Sequence, residues 1–363
     1  MSHHSDRRAF LTTLGSAFAA AACQSSNPGP APSSGGPTSA AAHGSIAAPP
    51  GPPSNAAAAT GIPTRPLGAT GERVSLLGLG GFHIGSQEDE RESLRLIRHA
   101  IDSGVTFMDN CWDYNEGQSE IRMGKALRDG YRDKVFLMTK VDGRTKQPAK
   151  KQLEQSLVRL QTDRIDLVQM HEIIRPDEPE QIFAPGGAME ALFEAKQAGK
   201  LRYIGFTGHK DPDIHLATVQ AGLKRGFTFD AVQMPLNVLD AHYDSFEKKV
   251  LPVLMEHRIG VIGMKSLGGG HFLENDVVSA KDALSYAMSL PVAVVVSGMD
   301  SLQALNENIA VARGFQPLNG GAMAALRQRT KPHAGNGELE EYKTSQTFDG
   351  TARNPHWLTS ARL

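Results

Sequence analysis

The strongest constraint on the fold of this chain is an eightfold alternation of short apolar runs with helical patterns. The runs are rich in β-branched and aromatic residues, and between them apolar residues recur with helical spacing, as at Leu94, Ile97 and Ile101. Repeated βα units form parallel sheets, and eight of them close into a barrel of about 250 residues. We therefore predict an α/β fold, a (β/α)8 TIM barrel, with strands at Leu76 to Leu79, Thr106 to Met108, Val135 to Thr139, Ile165 to Met170, Tyr203 to Thr207, Ala231 to Gln233, Gly260 to Met264 and Val292 to Ser297.

The barrel is predicted over residues 64–317, preceded within that range by a short hairpin at residues 65–74. Residues 318–363 are predicted to add a helix, at Met323 to Arg329, and then an extended tail. A two-domain, doubly wound fold is disfavoured because no G-x-G-x-x-G sequence opens a helix after a strand. One domain accounts for the pattern.

The first residues predict export. Residues 1–23 resemble a twin-arginine signal, in which Arg7 and Arg8 precede an apolar stretch too short to span a bilayer. The segment Ala20 to Cys23 resembles a lipobox, so Cys23 is either lipidated, anchoring the protein, or part of an ordinary signal; a disordered basic start is the third reading. Residues 24–63 have the composition of a disordered tether. We expect delivery by the export machinery to the periplasm or cell envelope, without a transmembrane helix.

The composition favours a small molecule as partner. The formal net charge is −1, so no overall field attracts nucleic acid or an anionic membrane. With only two cysteines, Cys23 and Cys111, the chain has no disulfide framework. No metal site is predicted, because His83, near the end of strand one, has no second histidine at ligand spacing, which disfavours a metal-dependent hydrolase.

Ionisable residues close three consecutive predicted strands, namely Asp109, Lys140 and His171, and Tyr114 lies in the loop after Asp109. Active sites of such barrels are built at the carboxyl ends of the strands, so we expect these four side chains to meet. A cationic lysine would lower the pKa of the tyrosine, and the aspartate would keep the lysine charged. His171 would orient a carbonyl oxygen toward Tyr114. The set predicts proton transfer to a carbonyl group.

Other interpretations remain open. Each residue alone could be a structural ion pair or a packed side chain. Lys140 could instead form a Schiff base with a carbonyl substrate, as in a barrel lyase. A non-catalytic nucleotide-binding sensor is the alternative outside enzymes, although such a sensor would not need Tyr114.

The segment Asp109 to Tyr114, with Lys140 and His171, resembles the catalytic motif of the aldo-keto reductases, and the similarity covers about residues 64–313. The resemblance implies a catalytic set of Asp109, Tyr114, Lys140 and His171, and NAD(P)H-dependent reduction of an aldehyde or ketone, or the reverse oxidation. It also implies that NADP or NAD binds without a Rossmann fold. The cofactor-binding residues that it implies are Thr207, Gln233, Lys265, Ser266, Leu267, Gly268, Gly269, Ser297, Gly298, Met299, Glu307 and Asn308.

Some positions depart from the family pattern. Thr207-Gly208-His209 stands where many relatives have Ser-Asn, and Met264 or Lys265 stands where many have a tyrosine that stacks on the nicotinamide. The family favours NADP, whereas the acidic Asp300 favours the free ribose hydroxyl of NAD. Phe82, His83 and Trp112 are predicted to line the mouth of the substrate pocket. The sequence does not name the substrate.

Overall fold

The computed structural model describes residues 61–359 and confirms the predicted barrel. Eight parallel strands, β3 to β10, pair in chain order, and β10 pairs with β3 to close the sheet. An antiparallel hairpin, β1 with β2, precedes them. The strands are β1 Thr64–Pro66, β2 Arg73–Ser75, β3 Leu77–Leu79, β4 Phe107–Met108, β5 Phe136–Val141, β6 Ile165–Met170, β7 Leu201–Thr207, β8 Ala231–Pro235, β9 Gly260–Met264 and β10 Val294–Ser297.

Helices surround the barrel where the apolar periodicity predicts them. In α2, Ile97 and Ile101 are buried, and Asp89 caps the helix by accepting a hydrogen bond from the backbone N–H of Arg91. Gly104 follows that helix with a φ of +98°, which glycine adopts without steric cost. The helices are α1 Gly81–Gly85, α2 Glu90–Asp102, α3 Gln118–Ala126, α4 Lys146–Leu160, α5 Glu178–Gln181, α6 Ala188–Gln197, α7 Pro212–Leu223, α8 Phe246–Lys249, α9 Leu251–Glu256, α10 His271–Glu274, α11 Ala280–Ser289, α12 Leu302–Arg313, α13 Gly320–Thr330, α14 Glu341–Thr344, α15 Gly350–Arg353 and α16 His356–Thr359.

The barrel interior is filled at its amino-terminal end by apolar side chains of alternate strand positions. Phe107, Met138 and Leu167 belong to this cluster, and the hairpin adds Leu67 and Val74. Side chains two residues apart on a strand point to the same face. On each strand, the residue two positions closer to the carboxyl end than one of these apolar residues therefore also faces the interior.

The chain beyond the barrel folds over the carboxyl ends of the strands. Helix α13 contains the predicted helical segment, but the residues after it form short helices instead of the expected extended tail. The backbone N–H groups of Gly350 and Thr351 donate to the carboxylate of Glu172, the second residue after β6. The ring of Trp357 packs edge-on against Trp112, with centroids 5.5 Å apart. We call residues 331–359 the C-terminal cover. Across residues 61–359, none of the helices has both the length and the apolar character needed to cross a membrane.

Candidate active site

Strand alternation brings the predicted ionisable residues together. Lys140 follows Met138 by two positions and Asp109 follows Phe107 by two, so both project above the apolar cluster in the interior. His171 and Gln233 face inward by the same rule. The interior of a barrel offers little water, so charged groups placed there must pair with one another.

Lys140 is the centre of this cluster. Its Nζ forms an ion pair with Asp109 and donates to the backbone oxygen of Asn110 at 2.8 Å and to the hydroxyl of Tyr114 at 3.2 Å. The second oxygen of the Asp109 carboxylate accepts a hydrogen bond from Nε2 of Gln233 at 2.7 Å. All three donor positions of the Lys140 ammonium are therefore directed at named oxygen atoms.

Tyr114 is held by ring contacts as well as by Lys140. Its ring packs edge-on against Phe82 and His171, with centroids 5.6 Å and 5.9 Å away. Burial raises the pKa of Tyr114 well above its ordinary value, and negative charges, led by that of Asp109, raise it further. The sequence predicted a lowered pKa because of Lys140. The difference arises because Asp109 compensates the lysine charge, so the tyrosine hydroxyl stays protonated at neutral pH.

His171 lies between acidic side chains. Its Nδ1 is 2.8 Å from Oδ1 of Asp142 and 3.3 Å from Sγ of Cys111. Burial lowers the pKa of His171, but the charges of Asp113 and Asp142 outweigh burial and raise it to about 9. Burial and the charge of Asp142 raise the pKa of Asp113 to about 6. At neutral pH the imidazole is therefore doubly protonated, and both ring nitrogens can donate.

Asp142 was missed by the sequence reasoning. It comes directly after β5, two residues past Lys140, so the strand-end rule that selected Lys140 also applied to it. The ligand atoms of Cys111, Asp113, Asp142 and His171 all lie within 4.8 Å of one another, a spacing that would admit a metal ion. Nδ1 of His171 lies 2.8 Å from Oδ1 of Asp142, whereas Oδ2 of Asp142 and Oδ1 of Asp113 are buried without a hydrogen-bond partner among the described residues.

A cavity of about 370 Å³ leads from this cluster to the rim of the barrel between β9, β10 and the following helices. Asp109 and Tyr114 line its inner end, and the exposed side chains of Phe82 and His83 line it as well. Nine of the predicted cofactor-binding residues line it as well: Gln233, Lys265, Ser266, Leu267, Gly269, Ser297, Gly298, Glu307 and Asn308.

The cavity has features that fit an extended nicotinamide dinucleotide. Oε1 of Gln233 is buried without a hydrogen-bond partner in the described part of the chain, so an amide could donate to it. Gly268 and Gly269 have positive φ values of 63° and 75°, which fit a backbone that turns sharply around phosphate oxygens. A Cβ atom at Gly298 would overlap the ring of His83, so a larger residue there would displace that ring.

Six of the predicted site residues do not line this cavity: Lys140 and His171, which are buried behind Asp109 and Tyr114, and Thr207, Gly268, Met299 and Trp112. Met299 follows the end of β10 by two residues and is fully buried in the core outside the barrel. Thr207 and Gly268 are buried beside the cavity. Trp112 points away from it, where Nε1 donates to Gln155 at 2.7 Å. The expectation that Trp112 borders the substrate is corrected to a packing role against the C-terminal cover.

Comparisons with known proteins agree with this geometry. The family model described as the Aldo/keto reductase family matches residues 76–282. Over 224 residues the chain is 32% identical to the uncharacterized oxidoreductase YrpG of Bacillus subtilis, covering 56% of this chain and 66% of that protein. Over 220 residues it is 34% identical to the aldo-keto reductase YhdN of the same organism, covering 55% and 61%. The alignments thus span less than two thirds of the length of either relative.

A solved structure is similar as well. The holo form of an aldo-keto reductase from Bacillus halodurans superposes with a TM-score of 0.60 at 26% identity, covering 77% of this chain and all of that one. The family match extends from β3 into α11, and so includes every strand end that contributes to the ionisable cluster. The chain belongs to the aldo/keto reductase family.

Proposed function

We propose that the protein reduces an aldehyde or ketone with a nicotinamide cofactor, or catalyses the reverse oxidation. The observation that carries this proposal is the position of the Tyr114 hydroxyl, 3.2 Å from Nζ of Lys140 at the inner end of the cavity. A protonated phenol beside a fixed cation is suited to donate a proton to an oxygen atom that becomes negatively charged.

The residues of the chain have separate tasks in this reaction. The bound nicotinamide supplies or accepts hydride. Gln233 would accept a hydrogen bond from the carboxamide through its free Oε1, while its Nε2 stays on Asp109. His171 would donate a hydrogen bond to the substrate oxygen, and Tyr114 would give that oxygen its proton. Lys140 stabilises the tyrosinate that remains, because its charge lies within hydrogen-bond distance.

The Schiff-base alternative is poorly supported by the geometry of Lys140. A lysine nucleophile must be neutral and reach the substrate carbon. Lys140 is fully buried, and its ammonium is engaged by Asp109, Asn110 and Tyr114. A sensor without catalysis remains the second proposal to test, because it requires the same cavity but no turnover.

We further propose that NAD is preferred over NADP. The exposed side chains of Asp300 and Glu307 line the cavity, and Lys265 is the only lysine or arginine among the described residues that line it. A carboxylate can accept a hydrogen bond from a ribose hydroxyl, whereas it repels a phosphate group.

Export by the twin-arginine route also remains a proposal, since Arg7, Arg8 and Cys23 lie outside the described residues. The composition of residues 1–23 supports it. We propose that the barrel binds its cofactor before export. Finding mature protein free of nucleotide, or uncleaved protein in the cytoplasm, would contradict this order of events.

The proposed activity is tested by nucleotide titration followed by an aldehyde screen. Quenching of tryptophan fluorescence by NADH and NADPH reports binding, and the loss of absorbance of the reduced cofactor reports turnover. Tight binding without turnover on any aldehyde or ketone would favour the sensor. Trapping of substrate on Lys140 by borohydride would favour the lyase.

A further inference from the structure

A second lysine, Lys265, lines the same cavity as Asp109, Tyr114 and Gln233. It follows β9 with a φ of +56°, a conformation that is uncommon for residues other than glycine. The described part of the chain gives its ammonium no salt bridge, whereas Lys140 is paired with Asp109. Among the described residues, no carboxylate therefore lies within salt-bridge distance of the Lys265 ammonium.

Aromatic rings hold the Lys265 ammonium in place. Nζ lies 4.0 Å from the ring centroid of Phe348 and 5.8 Å from that of Tyr342. Both rings belong to the C-terminal cover, and Tyr342 is fixed because its hydroxyl donates to Glu340 and accepts from Nδ2 of Asn237. The rings pack against the cation without neutralising its charge.

Burial raises the free energy of the charged form of Lys265. Burial lowers the pKa of Lys265 to about 8; the charge of Glu172 raises it and that of Lys140 lowers it. A partly desolvated cation without a counter-ion gains free energy when an anion binds beside it. The arrangement therefore fits an anionic ligand in the cavity.

Two anions could meet this lysine: a phosphate of the cofactor or an anionic group of the substrate. The phosphates have the backbone N–H groups of the glycine loop, residues 268–270, as partners. Lys265 contacts the C-terminal cover, and the same cover binds Glu172, the residue directly after His171. The charges of Glu172 and Lys140 also act on Lys265, so its ammonium lies within electrostatic reach of the ionisable cluster, where a substrate carbonyl would lie.

We propose that Lys265 binds the carboxylate of an oxo acid, so that the protein prefers aldehydes or ketones carrying a carboxylate over neutral ones. This inference rests on the proposed function and adds the substrate class. In the reaction the carbonyl carbon receives the hydride, the carbonyl oxygen receives the proton of Tyr114, and the carboxylate is unchanged. The resemblance to relatives assigns position 265 to the cofactor, whereas we assign it to the substrate because the charges of Glu172 and Lys140 act on it.

The test compares two aldehydes of similar size, para-carboxybenzaldehyde and para-tolualdehyde, with the full-length protein. We expect kcat/KM for the carboxylated aldehyde to exceed that for the neutral one by about tenfold, as one charge-assisted contact would give. Lys265→Met should bring this ratio to about one, and Lys265→Arg should keep most of it. The matched control is Lys249→Met, which removes a lysine paired with Asp213 on the surface and should leave the ratio unchanged.

Each other result overturns the inference. A wild-type ratio near one excludes a carboxylate site. A ratio that survives in Lys265→Met, with weaker NADH binding, assigns the lysine to a phosphate of the cofactor. If neither aldehyde is reduced, the proposed function fails, and calorimetry with para-carboxybenzyl alcohol then tests the site separately. Binding of this alcohol that is equal in the wild type and Lys265→Met would also reject the role of the lysine.

Discussion

Oδ1 of Asp142 lies 2.8 Å from Nδ1 of His171, which leaves Nε2 as the ring nitrogen available to a substrate. Asp142 is fully buried, and so it fixes both the rotation and the charge of the imidazole. It acts through His171, as a positioning residue. The arrangement resembles a carboxylate that orients a catalytic histidine in other enzyme classes.

Replacing Asp142 tests this role. In Asp142→Asn we expect the pKa of His171 to fall from about 9 toward the ordinary range, because one of the three charges that raise it and a side-chain hydrogen bond are gone. Reduction of a neutral aldehyde should decrease by about a hundredfold. In the wild type, activity should decline as the pH rises through about 9, where the imidazolium loses its proton, and in the variant this decline should begin at lower pH.

NMR titration of isotope-labelled histidine, with pH profiles of kcat, measures both effects. Asp129→Asn is the control, because Asp129 pairs with Arg98 at the surface. An unchanged His171 titration in Asp142→Asn would contradict the assignment.

Tyr114→Phe removes the proposed proton donor while keeping the ring that packs on Phe82 and His171. We expect kcat for aldehyde reduction to fall by about a thousandfold, with the affinity for NADH retained. Tyr131→Phe, which removes a surface hydroxyl bonded to Asp102, should behave as the wild type. Turnover that persists in Tyr114→Phe would show that another group supplies the proton.

The acidic rim of the cavity predicts cofactor preference. NADH should bind about tenfold more tightly than NADPH, because Asp300 and Glu307 disfavour the additional phosphate. Asp300→Ala should narrow this difference, whereas Glu256→Ala, at an exposed position on α9, should not. Fluorescence titration with both nucleotides measures the two dissociation constants, and tighter binding of NADPH to the wild type would refute the predicted preference for NADH.

The charge of Lys265 predicts a pH-dependent substrate preference. Lys265 is charged below a pKa of about 8, so the preference for the carboxylated aldehyde should be largest there and decline as the pH rises above that value. The charged groups that face it are Glu172, Lys140, His83 and His209. The ratio of kcat/KM for the two aldehydes cancels the effects of these four groups on the chemical step that both substrates share. In Lys265→Arg the ratio should stay constant over this range; a wild-type ratio independent of pH would contradict the prediction.

The hairpin that closes the amino-terminal end of the barrel predicts a change in stability alone. Leu67 is fully buried in the interior cluster, so Leu67→Ala should lower the free energy of unfolding by about 2–4 kcal/mol through lost burial and a cavity. Val158→Ala, at a side chain that is 77% exposed, should change it little. Denaturant unfolding measures both, and NADH affinity below the transition should be unaffected in each.

The barrel could be predicted from the sequence alone, because the local spacing of apolar residues indicates where strands and helices form. The hairpin and all eight strands follow from that spacing, and the strand-end rule selected Asp109, Lys140 and His171.

The side-chain positions in the loops and beyond the barrel follow only from the tertiary structure, because these segments have no periodic pattern of apolar residues that predicts where their side chains point. Nothing local predicts that Trp112 turns away from the cavity or that Phe348 reaches Lys265. Burial and the charges of Asp109, Asp113 and Glu172, which follow two different strands, raise the pKa of Tyr114 and so reverse the effect expected from Lys140 alone. The identity of the ionisable residues was determined by the sequence, and their charge states and partners by the distances that folding sets between them.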